Sequence, residues 1–148
     1  MNTYHLIGIG GIGMSSLARL LVAKGYAVSG SDTGFNASLE ALKDLGVTVY
    51  SEHQAHHVTS QAQVIYSTSI PASNPELIAA KEKKLPLLHR AELLNQLMQP
   101  QHPLLVAGAH GKTSTTAMLY HLLEHSGFNP SCSVGGILSL ENTNAKLG

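Results

Sequence analysis

The chain has 148 residues, enough for one domain with a real core or for a domain and part of another; 43% of them are hydrophobic and 12% charged, about half the ~25% charge of ordinary soluble domains, which excludes a disordered chain. Nine Lys and Arg balance nine Asp and Glu, so the chain lacks the basic field that gathers a nucleic acid, and any phosphate recognition must be local. No apolar run reaches the ~18 residues of a membrane span, Met1-Asn2-Thr3-Tyr4 lacks the order of a secretion leader, and the single Cys132 leaves no internal disulfide, so a cytoplasmic chain with no membrane partner is expected.

Apolar runs alternate with helical patterns. Residues 4–9 read as a short strand, and residues 15–24 place Leu17, Ala18, Leu20 and Leu21 at helical spacing before Gly25 stops the helix. A strand over 27–30, a helix over 37–45 closed by Gly46 and a strand over 47–50 complete a βαβαβ rhythm. A fourth strand over 63–66 runs into Ser67-Thr68-Ser69-Ile70-Pro71. Asn74-Pro75-Glu76 then opens a helix, with proline in the first turn where its missing N–H costs nothing. A strand over 85–88 and a helix over 91–98 follow. The prolines of Gln99-Pro100-Gln101-His102-Pro103 stop the pattern, so a domain boundary is expected there, dividing the chain into 1–99 and 100–148. Beyond it, residues 104–107 read as a buried strand, Lys112 to about Ser126 as a helix followed by Gly127, and 131–134 as a strand; residues 135–148 carry turn formers and no closing helix. Such alternation implies a Rossmann-like α/β fold, a parallel sheet with helices on both faces. Ligands in such sheets lie beyond the carboxyl ends of the strands, which directs attention to the loops after Ile9, Gly30, Tyr66 and Ala107.

Gly8-Ile9-Gly10-Gly11-Ile12-Gly13 satisfies G-x-G-x-x-G between a strand and a helix. Glycine permits the tight turn and a close backbone approach to a pyrophosphate, and the helix start presents free N–H groups. Asp32 follows Gly13 by 19 positions, where its carboxylate can accept from a ribose hydroxyl or a base N–H. The alternative is a structural turn with Asp32 as a helix cap. Ser31 and Ser38 have weaker claims, since serine is common in caps and turns.

A second glycine loop, Gly108-Ala109-His110-Gly111-Lys112-Thr113-Ser114, also lies between a strand and a helix. Its Gly-Lys-Thr is that of a phosphate loop, in which backbone N–H groups cradle phosphates, Lys112 reaches the β and γ phosphates and the Thr113 hydroxyl can ligate Mg²⁺. Val106 stands where the full pattern has glycine, so the loop is a variant starting at Gly108. Lysine at a helix start is unfavourable beside the positive dipole end, which favours a phosphate partner. The Mg²⁺ site of a working NTPase also needs a carboxylate; after Lys112 the only acids are Glu124 and Glu141, and neither is convincing.

Two such loops about a hundred residues apart are a specific combination. The run Gly8 to Ser15 (GIGGIGMS), Gly30-Ser31-Asp32 and Gly108 to Thr113, with Ser69-Ile70, Asn74-Pro75-Glu76, Arg90-Ala91-Glu92 and Asn144-Ala145-Lys146-Leu147-Gly148, resemble the Mur ligases over essentially the whole chain. The resemblance implies a nucleotide-sugar domain over 1–99 and the beginning of a phosphate-loop ATP-binding domain over 100–148, incomplete, with a C-terminal domain beyond. It implies that Gly10, Gly11, Ile12, Gly13, Met14 and Ser15 hold a UDP diphosphate, with Asp32 and Ser69 near the uridine. It further implies that Gly108, Ala109, His110, Gly111, Lys112, Thr113 and Ser114 bind ATP, with Lys112 and His110 catalytic and Thr113 on Mg²⁺. Family members commonly have Thr where this chain has Ala109 and Ser114; the second keeps a hydroxyl and the first loses one. The implied reaction is an ATP-dependent carboxylate–amine ligation in peptidoglycan precursor synthesis. The γ-phosphoryl group passes to the carboxylate of UDP-N-acetylmuramate, the amine of L-alanine attacks the acyl phosphate, and amide, ADP and phosphate result, with protein groups positioning reactants and neutralising charge. GIGGIGMS favours L-alanine over a tripeptide as the amine. By this resemblance the chain alone binds the UDP-sugar and lacks the complete active site.

The rival readings are an NAD-dependent dehydrogenase, resting on Gly8 to Gly13 and Asp32 alone, and a non-catalytic nucleotide-binding module. His121-Leu122-Leu123-Glu124-His125 spells H-x-x-E-H, a zinc-protease pattern, but Leu119, Leu122 and Leu123 read as the buried stripe of that helix, leaving His121 exposed and His125 at the flank, where the dipole explains it. His53, His56 and His57 read as loop residues, Lys81 to Lys84 as a solvated helix end, and Cys132 as a small buried residue rather than a nucleophile. Met14 packs either in the core or under a ligand.

Overall fold

The computed structural model describes residues 3–99 and 101–148; Met1, Asn2 and Pro100, and with them part of the leader reading and one boundary proline, lie outside the described residues. The elements run β1 Thr3–Ile7, α1 Ile12–Ala23, β2 Ala27–Ser31, α2 Ala37–Asp44, β3 Thr48–Tyr50, a short 3-10 turn Ala55–His57, β4 Ala62–Tyr66, α3 Pro75–Glu82, β5 Leu87–His89, α4 Arg90–Met98, α5 Lys112–His125, β6 Cys132–Leu138 and β7 Thr143–Lys146. The first five strands form one sheet in the order β3-β2-β1-β4-β5, every neighbouring pair parallel. This is the Rossmann-like α/β order, and it reverses between β1 and β4, opening a crevice at their carboxyl ends.

Strand alternation distributes the two cores. Tyr4 and Leu6 of β1, Val28 of β2 and Ile65 of β4 face Met14, Leu17 and Leu21 of α1, Leu39 and Leu42 of α2 and Leu93 of α4. On the opposite face Ile7, Ala62 and Val64 meet Leu77 and Ala80 of α3 and Val58. Helices therefore cover both faces, and each fully buried Leu or Ile contributes roughly 1.5–3 kcal/mol of transfer free energy. Asn74 caps α3, its side-chain oxygen accepting from the backbone N–H groups of Glu76 and Leu77, with Pro75 next, as the sequence pattern requires.

Three expectations change. Residues 104–107 form no strand. Among the described residues no strand pairs with them, and Leu104 and Leu105 are exposed; an apolar run becomes a strand only where a neighbouring ladder takes its backbone groups. The α5 stripe is also displaced: Tyr120, with Ala117 beside it, packs on Cys132, Val134 and Leu138, whereas Leu122 is 65% exposed. Residues 135–148, read as turn formers, instead continue the strand expected over 131–134 into β6 and add β7, making an antiparallel hairpin that packs on α1 as well as beside α5.

Candidate functional site

The first glycine loop lies at the switch point. Gly8 and Ile9 donate their backbone N–H to the carbonyl of Ser31 at 2.8 and 3.0 Å, tying the end of β1 to the end of β2. Gly10 N–H donates to Asp32 Oδ2 at 2.9 Å, and Gly34 N–H to Asp32 Oδ1 at 2.8 Å. Asp32 thus holds the loop from outside, with each oxygen taking one backbone donor. Asn36 caps α2 and donates from Nδ2 to the Gly10 carbonyl. Ser31, Asp32 and Asn36 therefore fix the loop's shape and leave the first turn of α1, with no side-chain cap and no acid in it, open to an anion.

Two further loops reach this turn. A Cβ added at Gly8 would come within 3.1 Å of Ile70 Cδ1, which places the loop after β4, with exposed Ser69, beside the glycines. At the other flank a Cβ on Gly13 would stand 2.5 Å from Arg90 Nη1, so a side chain there would push that guanidinium aside. Arg90 opens α4, where the dipole disfavours a cation unless an anion joins it; the sequence marks it as a family position without a role of its own. Met14 packs in the core, so its backbone N–H is what it offers the crevice. Ser15 is buried, its hydroxyl donating to the Ile12 carbonyl and its N–H to the Gly11 carbonyl; it acts on the turn's shape.

The second loop has the same logic with a cation built in. Gly111 caps α5 in the left-handed conformation, φ 78°, which a side chain rarely adopts, and no side chain caps the helix. Lys112 Nζ donates to the carbonyls of Gly108 at 2.6 Å and Ala109 at 3.1 Å. The ammonium is thereby held inside the curl of the loop, beside the free N–H groups of the first turn of α5. Thr113 faces Gly135 and Gly136 of β6, while Ala109, His110 and Ser114 are exposed.

The β6–β7 hairpin joins the two loops. Its β6 carries Gly135 and Gly136 against Thr113, and from the facing part of β7 Asn144 donates from Nδ2 to the Ile12 carbonyl at 2.8 Å and to Ser15 Oγ at 2.9 Å. Ser16 and Ser133 hydroxyls add a 2.5 Å contact. A cavity of about 350 Å³ lies between Leu94, Leu97 and Met98 of α4 and Leu119 and Leu123 of α5, away from both glycine loops and lined mainly by apolar side chains.

His121, Glu124 and Glu141 bring ligand atoms within 4.8 Å of one another. Lys146 Nζ already hydrogen-bonds Glu124, a contact that pushes the Lys146 pKa up, so the cluster carries its own cation. His125, the last residue of the H-x-x-E-H run, lies outside that group; its Nδ1 donates to the His121 carbonyl at 2.8 Å. Burial pushes the Cys132 thiol up, with the charge of Glu141 adding to it, so the thiolate needed by a nucleophile is disfavoured. No helix among the described residues is long and apolar enough to cross a membrane.

A family model described as "Mur ligase family, catalytic domain" matches residues 3–102. Over 144 residues the chain is 46% identical to the UDP-N-acetylmuramate–L-alanine ligase of Caulobacter vibrioides, covering 97% of this chain and 30% of that protein. It is 46% identical over 145 residues to the ligase of the same name from Desulfotalea psychrophila, covering 97% and 32%. The solved UDP-N-acetylmuramate–alanine ligase of Thermotoga maritima superposes with a TM-score of 0.94 at 31% identity, covering 100% of this chain and 35% of that one. The UDP-N-acetylmuramate:L-alanyl-γ-D-glutamyl-meso-diaminopimelate ligase from Neisseria meningitides gives 0.90 at 30%, covering 99% and 47%. The chain spans about 30% of the length of the curated relatives it matches.

Proposed function

The chain belongs to the Mur ligase family, and we propose that it carries the nucleotide-sugar site and the ATP phosphate loop of a cytoplasmic UDP-N-acetylmuramate–L-alanine ligase. The observation that carries this reading is the pairing of two anion sites on one frame: the open first turn of α1 with Arg90 beside Gly13, and the open first turn of α5 with Lys112 curled into its loop. A dehydrogenase accounts for the first and leaves the second without a task. In this reading Ile12, Gly13 and Met14 present free backbone N–H groups to the UDP diphosphate, Gly11, whose N–H donates to the Gly8 carbonyl, lets the chain pass close to it, Arg90 adds a guanidinium, and Asp32 shapes the loop beside the uridine end, with Ser69 across the crevice. Gly111, Lys112, Thr113 and Ser114 receive the ATP phosphates, with Ala109 and His110 on the exposed rim.

ATP supplies the phosphoryl group that activates the sugar's carboxylate toward the amine of L-alanine. The donor set fits a triphosphate well. For Mg²⁺ the loop itself offers the Thr113 hydroxyl; of the two acids that follow Lys112, Glu124 is engaged by Lys146 and Glu141 faces His121 at 3.7 Å. What these residues do is bind and orient: they neutralise phosphate charge and hold two substrates on one rigid frame.

Gly13→Ala tests the sugar site. The added methyl must push the Arg90 guanidinium aside, while alanine itself suits a helix. Calorimetric titration with UDP-N-acetylmuramate is expected to show affinity about tenfold or more below wild type, with an unfolding free energy within about 0.5 kcal/mol of it. Equal affinity in the two proteins contradicts the assignment of this turn.

A further inference from the structure

The sheet face opposite α1 buries a charge that neither loop uses. Glu76, in the first turn of α3, is fully buried. His57 Nδ1 lies 3.0 Å and His5 Nε2 3.4 Å from its Oε1, and His53 Nδ1 lies 3.2 Å from its Oε2. The Ser31 hydroxyl donates to Oε2 as well. An ionised carboxylate only accepts, so His53 and His57 carry hydrogen on Nδ1; the Tyr50 ring, stacked on His57 at 3.8 Å and 5°, holds one of these imidazoles in place. Burial raises the Glu76 pKa, but the hydrogen bonds and charge of His5 and the bonds from Ser31 and His57 outweigh it and hold the carboxyl at about 2. A buried carboxylate is retained only where its partners make it good.

Ser31 stands between this charge and the first glycine loop. It ends β2 and is fully buried. Its hydroxyl accepts from His53 Nδ1 at 2.7 Å while donating to Glu76, and its carbonyl receives Gly8 N–H and Ile9 N–H. Side chain and carbonyl belong to one residue at the strand's last position, so pinning the first orients the second. We propose that Glu76 is a positioning residue for the glycine loop of the nucleotide-sugar site, acting through Ser31. The carboxylate touches no substrate; it holds the carbonyl on which the turn from Gly8 begins. This assignment rests on the reading of that loop as the UDP-sugar site only for its functional readout, since the geometric effect on Gly8 and Ile9 is independent of any ligand.

The test is a double-mutant cycle of Glu76→Gln and Ser31→Ala in this chain, read by amide hydrogen exchange and by calorimetry with UDP-N-acetylmuramate and with ATP. Each single variant is expected to speed exchange at Gly8 and Ile9 about tenfold relative to Leu6 and to weaken UDP-N-acetylmuramate about tenfold, with ATP within about twofold. The double variant is expected to be no worse than Ser31→Ala alone. Unchanged exchange at Gly8 and Ile9, fully additive effects, or equal weakening of both ligands overturns the proposal. If Glu76→Gln does not fold, His53→Asn, whose parent side chain is 20% exposed, enters the same cycle with the same expected and contrary results. A wild-type chain that gives no heat with UDP-N-acetylmuramate refutes the ligand assignment, and the exchange data then decide the Glu76–Ser31 link alone.

Discussion

Lys112→Ala is expected to weaken ATP binding by about a hundredfold or more while leaving the affinity for UDP-N-acetylmuramate within about twofold. The ammonium lies in the curl of the second loop, and two charge-assisted bonds to phosphate oxygens contribute roughly 1.5–3 kcal/mol each. Its present partners, the carbonyls of Gly108 and Ala109, are neutral and exposed, and the residue opens α5 beside the positive dipole end. Stability should therefore be nearly indifferent to the change, within about 0.5 kcal/mol. Measuring both affinities by calorimetry and stability by urea unfolding separates these effects. A loss of ATP binding accompanied by an equal loss of stability would assign Lys112 a structural role instead.

The second large effect is acid lability. The Glu76 carboxyl is held at about 2 against an ordinary value of 4.5. As pH falls, the unfolded chain takes up this proton first, so the stabilisation is complete above pH 4.5 and is lost as pH falls toward about 2. The difference corresponds to about 3 kcal/mol. Urea unfolding at pH 7, 4.5 and 2.5 should show that loss in the wild type and a flatter profile in Glu76→Gln, which begins from a lower stability at neutral pH. Parallel profiles in the two proteins would mean that Glu76 is not the group being protonated.

The sheet was legible because each of its strands is an apolar run ended by glycine or a polar turn, and because the spacing of Gly8 to Gly13 and Asp32 places one end of the site. Asp32 illustrates the limit: spacing put it at the crevice, but only the folded chain shows that both its oxygens already hold the backbone of Gly10 and Gly34. Residues 104–107 failed for a related reason, since hydrophobicity says that a segment can be a strand while pairing decides whether it is one. The Glu76 cluster escaped because its members come from four separate segments. Its signals were present nonetheless: His5 in the middle of an apolar strand and Ser29 in register beside it put polar side chains on one buried face, which demands a buried partner. His53 and His57, read as loop residues, are that partner's ligands, while His56 is exposed. Arg90 carried the same signal as Lys112, a cation at a helix start.

The central claim is that two anion sites on this frame receive two different nucleotides, and amide chemical-shift mapping of this chain tests it residue by residue. Titration with UDP-N-acetylmuramate should move the amides of Gly11, Ile12, Gly13 and Met14, and titration with ATP those of Lys112, Thr113 and Ser114. Shifts in the first group with NAD and none with UDP-N-acetylmuramate would contradict the account.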